Sequence, residues 1–455
     1  MSTKKWIRNA LIFNEGRAFE GSVWVEGDRI TSVREGKCPE DEKPEVGWEV
    51  IEGEGLWLLP GVIDDHVHFR DPGFTHKGDM ESESRAAVAG GVTSFMDMPN
   101  TLPQTTTLDA LVQKEERAAQ VSFANYAFFF GATNDNLPLF ASLDRQRVPG
   151  VKVFLGSSTG GMLVDKREIL ERIFGETDLL VAVHAEKEEI IRRNITYYKS
   201  LHGDQLDVSF HPLIRGEEAC YAASSEAIDL AQRTGARLHL LHLSTERETT
   251  LLNDTSPLSR KRITAEVCVQ HLWFTDADYA HFGNHIKWNP AVKSERDRSA
   301  LRAALNNGLI DIVATDHSPH LPAEKGGNCL TAASGAPLVQ HSLPAMLELS
   351  AQGLFSVETV VEKMSHAPAI LYGIEDRGFI RPGYYADLVL VDPSVSYTVT
   401  QDSLFYKCGW SPFEGLSFSR RIVLTLVNGC IAYRYNSSVP CLPSGLPLRF
   451  LCPKE

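Results

Sequence analysis

Two histidines one residue apart close an apolar run in this chain, LLPGVIDDHVHFRDPG (residues 58–73), and an arginine stands two residues further on. Side chains at i and i+2 of a strand share one face, so His66, His68 and Arg70 can address a single point. Imidazole is a common ligand for divalent transition metals, and guanidinium is a planar fork that fits a carboxylate. Further along, Lys152 sits inside the apolar VKVFL, His184 follows LLVAV, His242 falls in RLHLLHL and Asp316 follows DIVAT. Brought to one place, these imidazoles and the carboxylate can bind a divalent metal. Taken singly, each has an ordinary reading as an exposed strand end or a satisfied core group. Lys152 either snorkels out of the core, pairs with an acid, or loses its proton on burial. A neutral amine can react with CO2 to form a carbamate, a two-oxygen anion able to bridge two metals.

Eight strand-like runs must position these residues: 58–65, 92–98, 124–130, 151–155, 179–183, 237–243, 263–269 and 311–315. Most of the intervals carry helix-like sequence, such as ESESRAAVAGG, EILERIF, EEACYAASSEAIDLAQRTG and SERDRSALRAALNNG. Near-continuous apolar strands alternating with helices indicate parallel strands buried on both faces, and eight units imply a (β/α)8 TIM-type barrel. The active site of such a barrel lies at the C-terminal ends of its strands, where these histidines and Asp316 fall. His239 lies three residues before His242, so a regular strand points the two to opposite faces, and only His242 is placed for the mouth.

Residues 1–55 and 382–455 read differently, as short alternating strands with an Asn428-Gly429 turn, and are expected to build one composite β-sandwich domain beside a barrel of residues 56–381. The Pro- and Ser-rich tail from Asn436 onward is expected to wrap the surface. A formal charge of −14 argues against nucleic-acid or anionic-membrane partners. With no signal-peptide pattern and no apolar run of membrane-spanning length, a cytoplasmic location is expected. Eight scattered cysteines without a CxxC pair point to buried thiols.

The ordered set of HVH, a strand-4 lysine, two histidines and an aspartate resembles the amidohydrolase superfamily over nearly the whole chain. Within it, DHVHFRDPG with KGDMESESRAAVAGGVTSFMDMPNT, ATDHSPHLPAEK and GWSPFEG is similar to type I dihydroorotases. The resemblance implies two divalent metals, zinc or a similar ion. His66, His68 and Asp316 would bind the more buried one, His184 and His242 the second, and carboxylated Lys152 would bridge them. It implies reversible hydrolysis of the cyclic amide of L-dihydroorotate to N-carbamoyl-L-aspartate, a step of pyrimidine biosynthesis, with Asp316 as proton shuttle and a possible homodimer. Arg70 would grip the exocyclic carboxylate, and Asn100, Asn289 and His320 would contact that carboxylate or the ring.

Asn100 and Asn289 also have a turn reading, since both neighbour tight-turn sequence. The stretch SGAPLVQHSLP departs from the family pattern by placing Gln340-His341 where Glu-Thr is usual, and it is expected to line the ring side of the pocket. Two alternatives stand beside dihydroorotase: an allantoinase or hydantoinase/dihydropyrimidinase, and a catalytically inactive scaffold. Scaffold relatives lose metal ligands, whereas all six ligand positions are filled here.

Overall fold

The computed structural model describes residues 4–39, 41–42, 46–156, 162–164, 166–437 and 441–451. The eight apolar runs form eight strands: β1 (Val62–Val67), β2 (Val92–Asp97), β3 (Asn125–Phe128), β4 (Val151–Phe154), β5 (Val181–His184), β6 (Leu238–Leu240), β7 (Ile263–Cys268) and β8 (Ile312–Ala314). Every pairing between consecutive strands is parallel, with β3 reaching β4 through its continuation Phe130–Gly131. A parallel bridge between Val67 and His317, with the His68 N–H donating to the His317 carbonyl at 2.7 Å, joins β8 back to β1 and closes the barrel. Both faces of the strands are buried, as the lack of polar alternation requires.

The helix-like intervals fold as read. Met80–Ala89 begins at Asp79, whose carboxylate accepts from the Ser82 N–H at 2.8 Å, and Glu295–Asn306 begins at Ser294 with a capping box. Glu217–Thr234 ends at Gly235 in the left-handed conformation, φ +75°, where a Cβ would be strained.

Strands from the two chain ends join in one eight-stranded sheet. It contains Lys4–Asn14, Arg17–Glu26, Arg29–Glu35, Trp48–Glu52, Trp57–Pro60, Leu388–Asp392, Arg421–Val427 and Cys430–Arg434. The run 58–65 is therefore shared: Trp57–Pro60 pairs antiparallel with Leu388–Asp392, and the barrel begins beyond Gly61. The hairpin after Val427 turns on Asn428 (φ +50°) and Gly429 (φ +71°), the positive pair that a two-residue type I′ turn demands. A buried network of Asn125, Asp387 and Asn428 ties this sheet to β3, with side-chain bonds of 3.0 and 2.7 Å.

The tail does more than wrap the surface. Among its described residues, Leu448 donates to the Tyr126 carbonyl, and Leu448 and Phe450 are buried with Ile63, Phe129 and Ala182. Apolar side chains at alternate positions explain this, because they cover barrel-core surface that water would otherwise reach.

Candidate metal centre and substrate pocket

A cavity of about 250 Å³ opens at the C-terminal ends of the barrel strands. Its lining includes all ten residues singled out from the sequence: His66, His68, Arg70, Asn100, Lys152, His184, His242, Asn289, Asp316 and His320. Phe154, Ser318 and the wall Ala333–Gly335 complete it. The volume suits a single small ring better than a drug-sized ligand.

On one side of the cavity, Oδ1 of Asp316 lies 3.0 Å from Nε2 of His68 and 3.4 Å from Nε2 of His66. Ligand atoms around a tetrahedral zinc, each about 2.0–2.2 Å from the metal, sit roughly 3.3 Å apart, so these three donors have the spacing that one ion needs. On the other side, Nδ1 of His184 faces Nε2 of His242 at 2.8 Å. Lys152 enters the cavity 1% exposed, and among the described residues its amine has neither a hydrogen bond nor a carboxylate within ion-pair distance. A buried amine without an acid partner is costly as an ammonium, and burial pulls its pKa down to about 8.

The electrostatics favour a donor set ready for a cation. Burial lowers the pKa of His68 to about 4, that of His184 below the usual range and that of His242 well below it, leaving neutral imidazoles able to coordinate. Burial alone would raise the Asp316 carboxyl, but His66, His68 and Lys152 outweigh it and the pKa falls. Asp316 is thus a carboxylate at neutral pH. Neutral imidazoles and an ionised carboxylate fit a divalent metal site, and the buried amine of Lys152 lines the same cavity.

Three site residues hold left-handed backbone: Arg70 (φ +68°), His242 (φ +42°) and Asp316 (φ +49°). Each such non-glycine conformation costs on the order of 1–3 kcal/mol, a strain that collects where side-chain aim matters. It also overturns the alternation expected between His239 and His242. Strand β6 ends at Leu240, and the turn at His242 lets its backbone N–H reach Oε1 of Glu266 at 3.0 Å while His239 lies 3.5 Å from Oε2 of the same carboxylate. His239 is nevertheless a core residue, fully buried, with Nδ1 on Thr264 at 2.8 Å. Burial would lower its pKa, but Asp65 and Glu266 outweigh that and raise it to about 9.

Glu266 is the functional residue that sequence reasoning missed. From within β7 it accepts from Nδ1 of His66 at 2.6 Å and fixes which ring nitrogen faces the cavity. The signal was present, since an acid inside the apolar ITAEVCV is as anomalous as a lysine inside VKVFL. Asn100 plays the corresponding part for His68, through Oδ1 at 2.7 Å from Nδ1.

Arg70 forms the far wall. It is 6% exposed, its Nε donates to the Pro319 carbonyl at 3.1 Å and its Nη2 to the Ser318 hydroxyl at 2.6 Å. Among the described residues no carboxylate comes within ion-pair distance, and burial lowers its pKa to about 10. Asn289 precedes a cis proline, and its buried Oδ1 has no hydrogen-bond partner among the described residues. The SGAPLVQHSLP stretch lines the cavity only through Ser334 and Gly335. Gln340 and His341 point elsewhere: the Gln340 side chain donates to the Ser403 carbonyl at 2.8 Å and accepts from the Phe405 N–H at 2.9 Å, and His341 meets the Tyr406 hydroxyl. The departure from the family pattern at these two positions is a staple to the 403–406 segment and lies outside the ring pocket.

Residues 57–432 match the model of the Amidohydrolase family. A dihydroorotase of Halobacterium salinarum is 39% identical over 362 residues, 79% of this chain and 82% of that protein. An allantoinase of Bacillus velezensis is 30% identical over 434 residues, 94% of this chain and 93% of that one. Among solved structures, the L-hydantoinase (dihydropyrimidinase) of Arthrobacter aurescens superposes with a TM-score of 0.90 at 27% identity, covering 98% of this chain and 99% of that chain.

Proposed function

Because this chain belongs to the amidohydrolase family, we propose that it is a dihydroorotase, interconverting L-dihydroorotate and N-carbamoyl-L-aspartate in pyrimidine biosynthesis. The observation that carries the choice of substrate is Arg70, a buried guanidinium without an acid partner among the described residues, facing the cavity that holds the metal-type donor set. A buried cation of this kind calls for an anion from the ligand, and the exocyclic carboxylate of dihydroorotate supplies one.

His66, His68 and Asp316 would hold one divalent ion, zinc or a similar metal, and His184 and His242 a second, with Lys152 as a carbamate between them. Such ions, when bound, supply hydroxide near neutral pH and polarise the carbonyl under attack. Arg70 orients the ring through its carboxylate. Asp316 takes the proton released as water adds to the ring carbonyl and returns it to the ring nitrogen as the carbon–nitrogen bond breaks. Its depressed pKa keeps it ionised and competent as a base at neutral pH. Glu266 keeps His66 in the tautomer that presents Nε2 to the cavity.

The allantoinase and hydantoinase relatives support a second reading, a cyclic ureide lacking the carboxylate. Rates on L-dihydroorotate, allantoin and hydantoin, measured side by side with zinc-loaded protein, separate the two. Preference for dihydroorotate supports the first reading, and faster turnover of an uncharged ring would move the assignment to the second.

A further inference from the structure

Lys77, in the KGDM stretch that follows the histidine pair, has no part in the chemistry described so far, yet it is buried beside the pocket. Its Nζ lies 3.1 Å from Nδ1 of His320 and donates to Oε1 of Glu324 at 2.7 Å. The other ring nitrogen of His320, Nε2, lies 3.1 Å from Nη2 of Arg70. Burial and the two neighbouring cations keep this imidazole neutral. A neutral imidazole carries one hydrogen and one lone pair, and ammonium and guanidinium groups can only donate. The ring therefore cannot satisfy both neighbours as an acceptor.

We infer that Lys77 is a positioning residue for substrate binding: by donating to Nδ1 it places the single hydrogen of His320 on Nε2, so that His320 and Arg70 present two converging donors to one carboxylate oxygen. This rests on the carboxylated-substrate reading above. Glu324 anchors the ammonium, and its other oxygen is occupied by the Leu321 N–H at 2.7 Å. Nε2 and Nη2 meet donor to donor, and an anionic oxygen within about 2.9 Å of both relieves that opposition. Trp410 of the GWSPFEG motif steadies the arrangement by donating from its indole to the His320 carbonyl at 2.7 Å. Without Lys77, Glu324 is left as the neighbour of Nδ1, with Oε2 at 3.5 Å. The hydrogen then moves to Nδ1, and Nε2 turns its lone pair toward the incoming carboxylate.

The tautomer is read directly by nitrogen NMR of metal-loaded, 15N-histidine-labelled protein, with the His320 signals assigned through His320→Gln. Affinity is read by calorimetry with orotate, a planar carboxylated pyrimidine. The wild-type protein should show the Nε2–H form. Lys77→Met should shift His320 to Nδ1–H and weaken orotate binding at least tenfold, while Lys77→Arg, which keeps a donor, should stay within about threefold. A wild-type spectrum of the Nδ1–H form overturns the inference without any substitution, and so does an unchanged tautomer in a folded Lys77→Met. If the wild-type protein shows Nε2–H but does not bind orotate, the carboxylated-substrate reading fails, and the converging grip fails with it.

Discussion

Replacing Arg70 by methionine should move ligand affinity and stability by very different amounts. The guanidinium is buried at the cavity wall with its Nη2 on Ser318 and its Nε on the Pro319 carbonyl. Removing one partner of a desolvated charge pair costs about 2–5 kcal/mol, so kcat/KM for dihydroorotate should fall roughly 30-fold to several thousand-fold at 1.4 kcal/mol per decade. Stability should change little when no ligand is bound. Burial brings the guanidinium from 12.5 to about 10, a penalty on the order of 3 kcal/mol that the methionine removes. Against this stand the two lost hydrogen bonds, at about 1 kcal/mol each, and the acceptors they leave behind. The assay pairs steady-state rates on dihydroorotate and on dihydrouracil, which lacks the carboxylate, with thermal unfolding in the absence of ligand. Dihydrouracil turnover should be nearly unaffected. Loss on dihydroorotate of less than about fivefold, or equal losses on both rings, would refute the assignment of Arg70 to the carboxylate.

Asp316→Asn should retain the fold by circular dichroism and lose at least about a thousandfold in kcat, and near-normal turnover would remove the proton-shuttle role. Lys152→Met should stabilise metal-free protein at pH 7 by up to about 3 kcal/mol, because the folded amine titrates near 8 rather than 10.5. The sign follows from the lowered folded pKa: burying the charged form penalises the wild type fully below pH 8, and the penalty fades as pH rises toward 10.5. A melting-temperature difference that grows with pH would contradict the buried-amine account. Gln340→Ala should destabilise the protein by about 1–3 kcal/mol in chemical denaturation, through the lost bonds to Ser403 and Phe405, and leave the KM for dihydroorotate within twofold. A shifted ring preference would return this position to the pocket.

Residue type and local spacing made much of the molecule legible. The eight apolar runs are long enough and continuous enough to mark strands buried on both faces, and the polar residues at their ends, ordinary when taken singly, gained meaning as a set that one barrel mouth could gather. Lys152 stood out because an ammonium inside VKVFL has no cheap local solution. Glu266 carried the same signal, an ionisable group inside an apolar run, but the partner that gives it a role, His66, lies 200 positions away in the chain. The alternation argument for His239 and His242 assumed a regular strand, and the left-handed turn at His242 is set by contacts with β7 that no local rule contains.

Sequence by itself determined which chemistry was available: imidazoles, one carboxylate, one misplaced lysine and a guanidinium, each fixed near the end of an element by its own neighbours. Only the tertiary structure decided how these groups face one another. Glu266 meets His66 across 200 positions of the chain, Ser318 meets Arg70 across 248, and Lys77 meets His320 across 243. Strand periodicity reports which side of its own element a residue occupies, whereas hydrogen-bond tautomers, unpaired buried charges and donor spacing arise only when the barrel closes and excludes water from the groups it brings together.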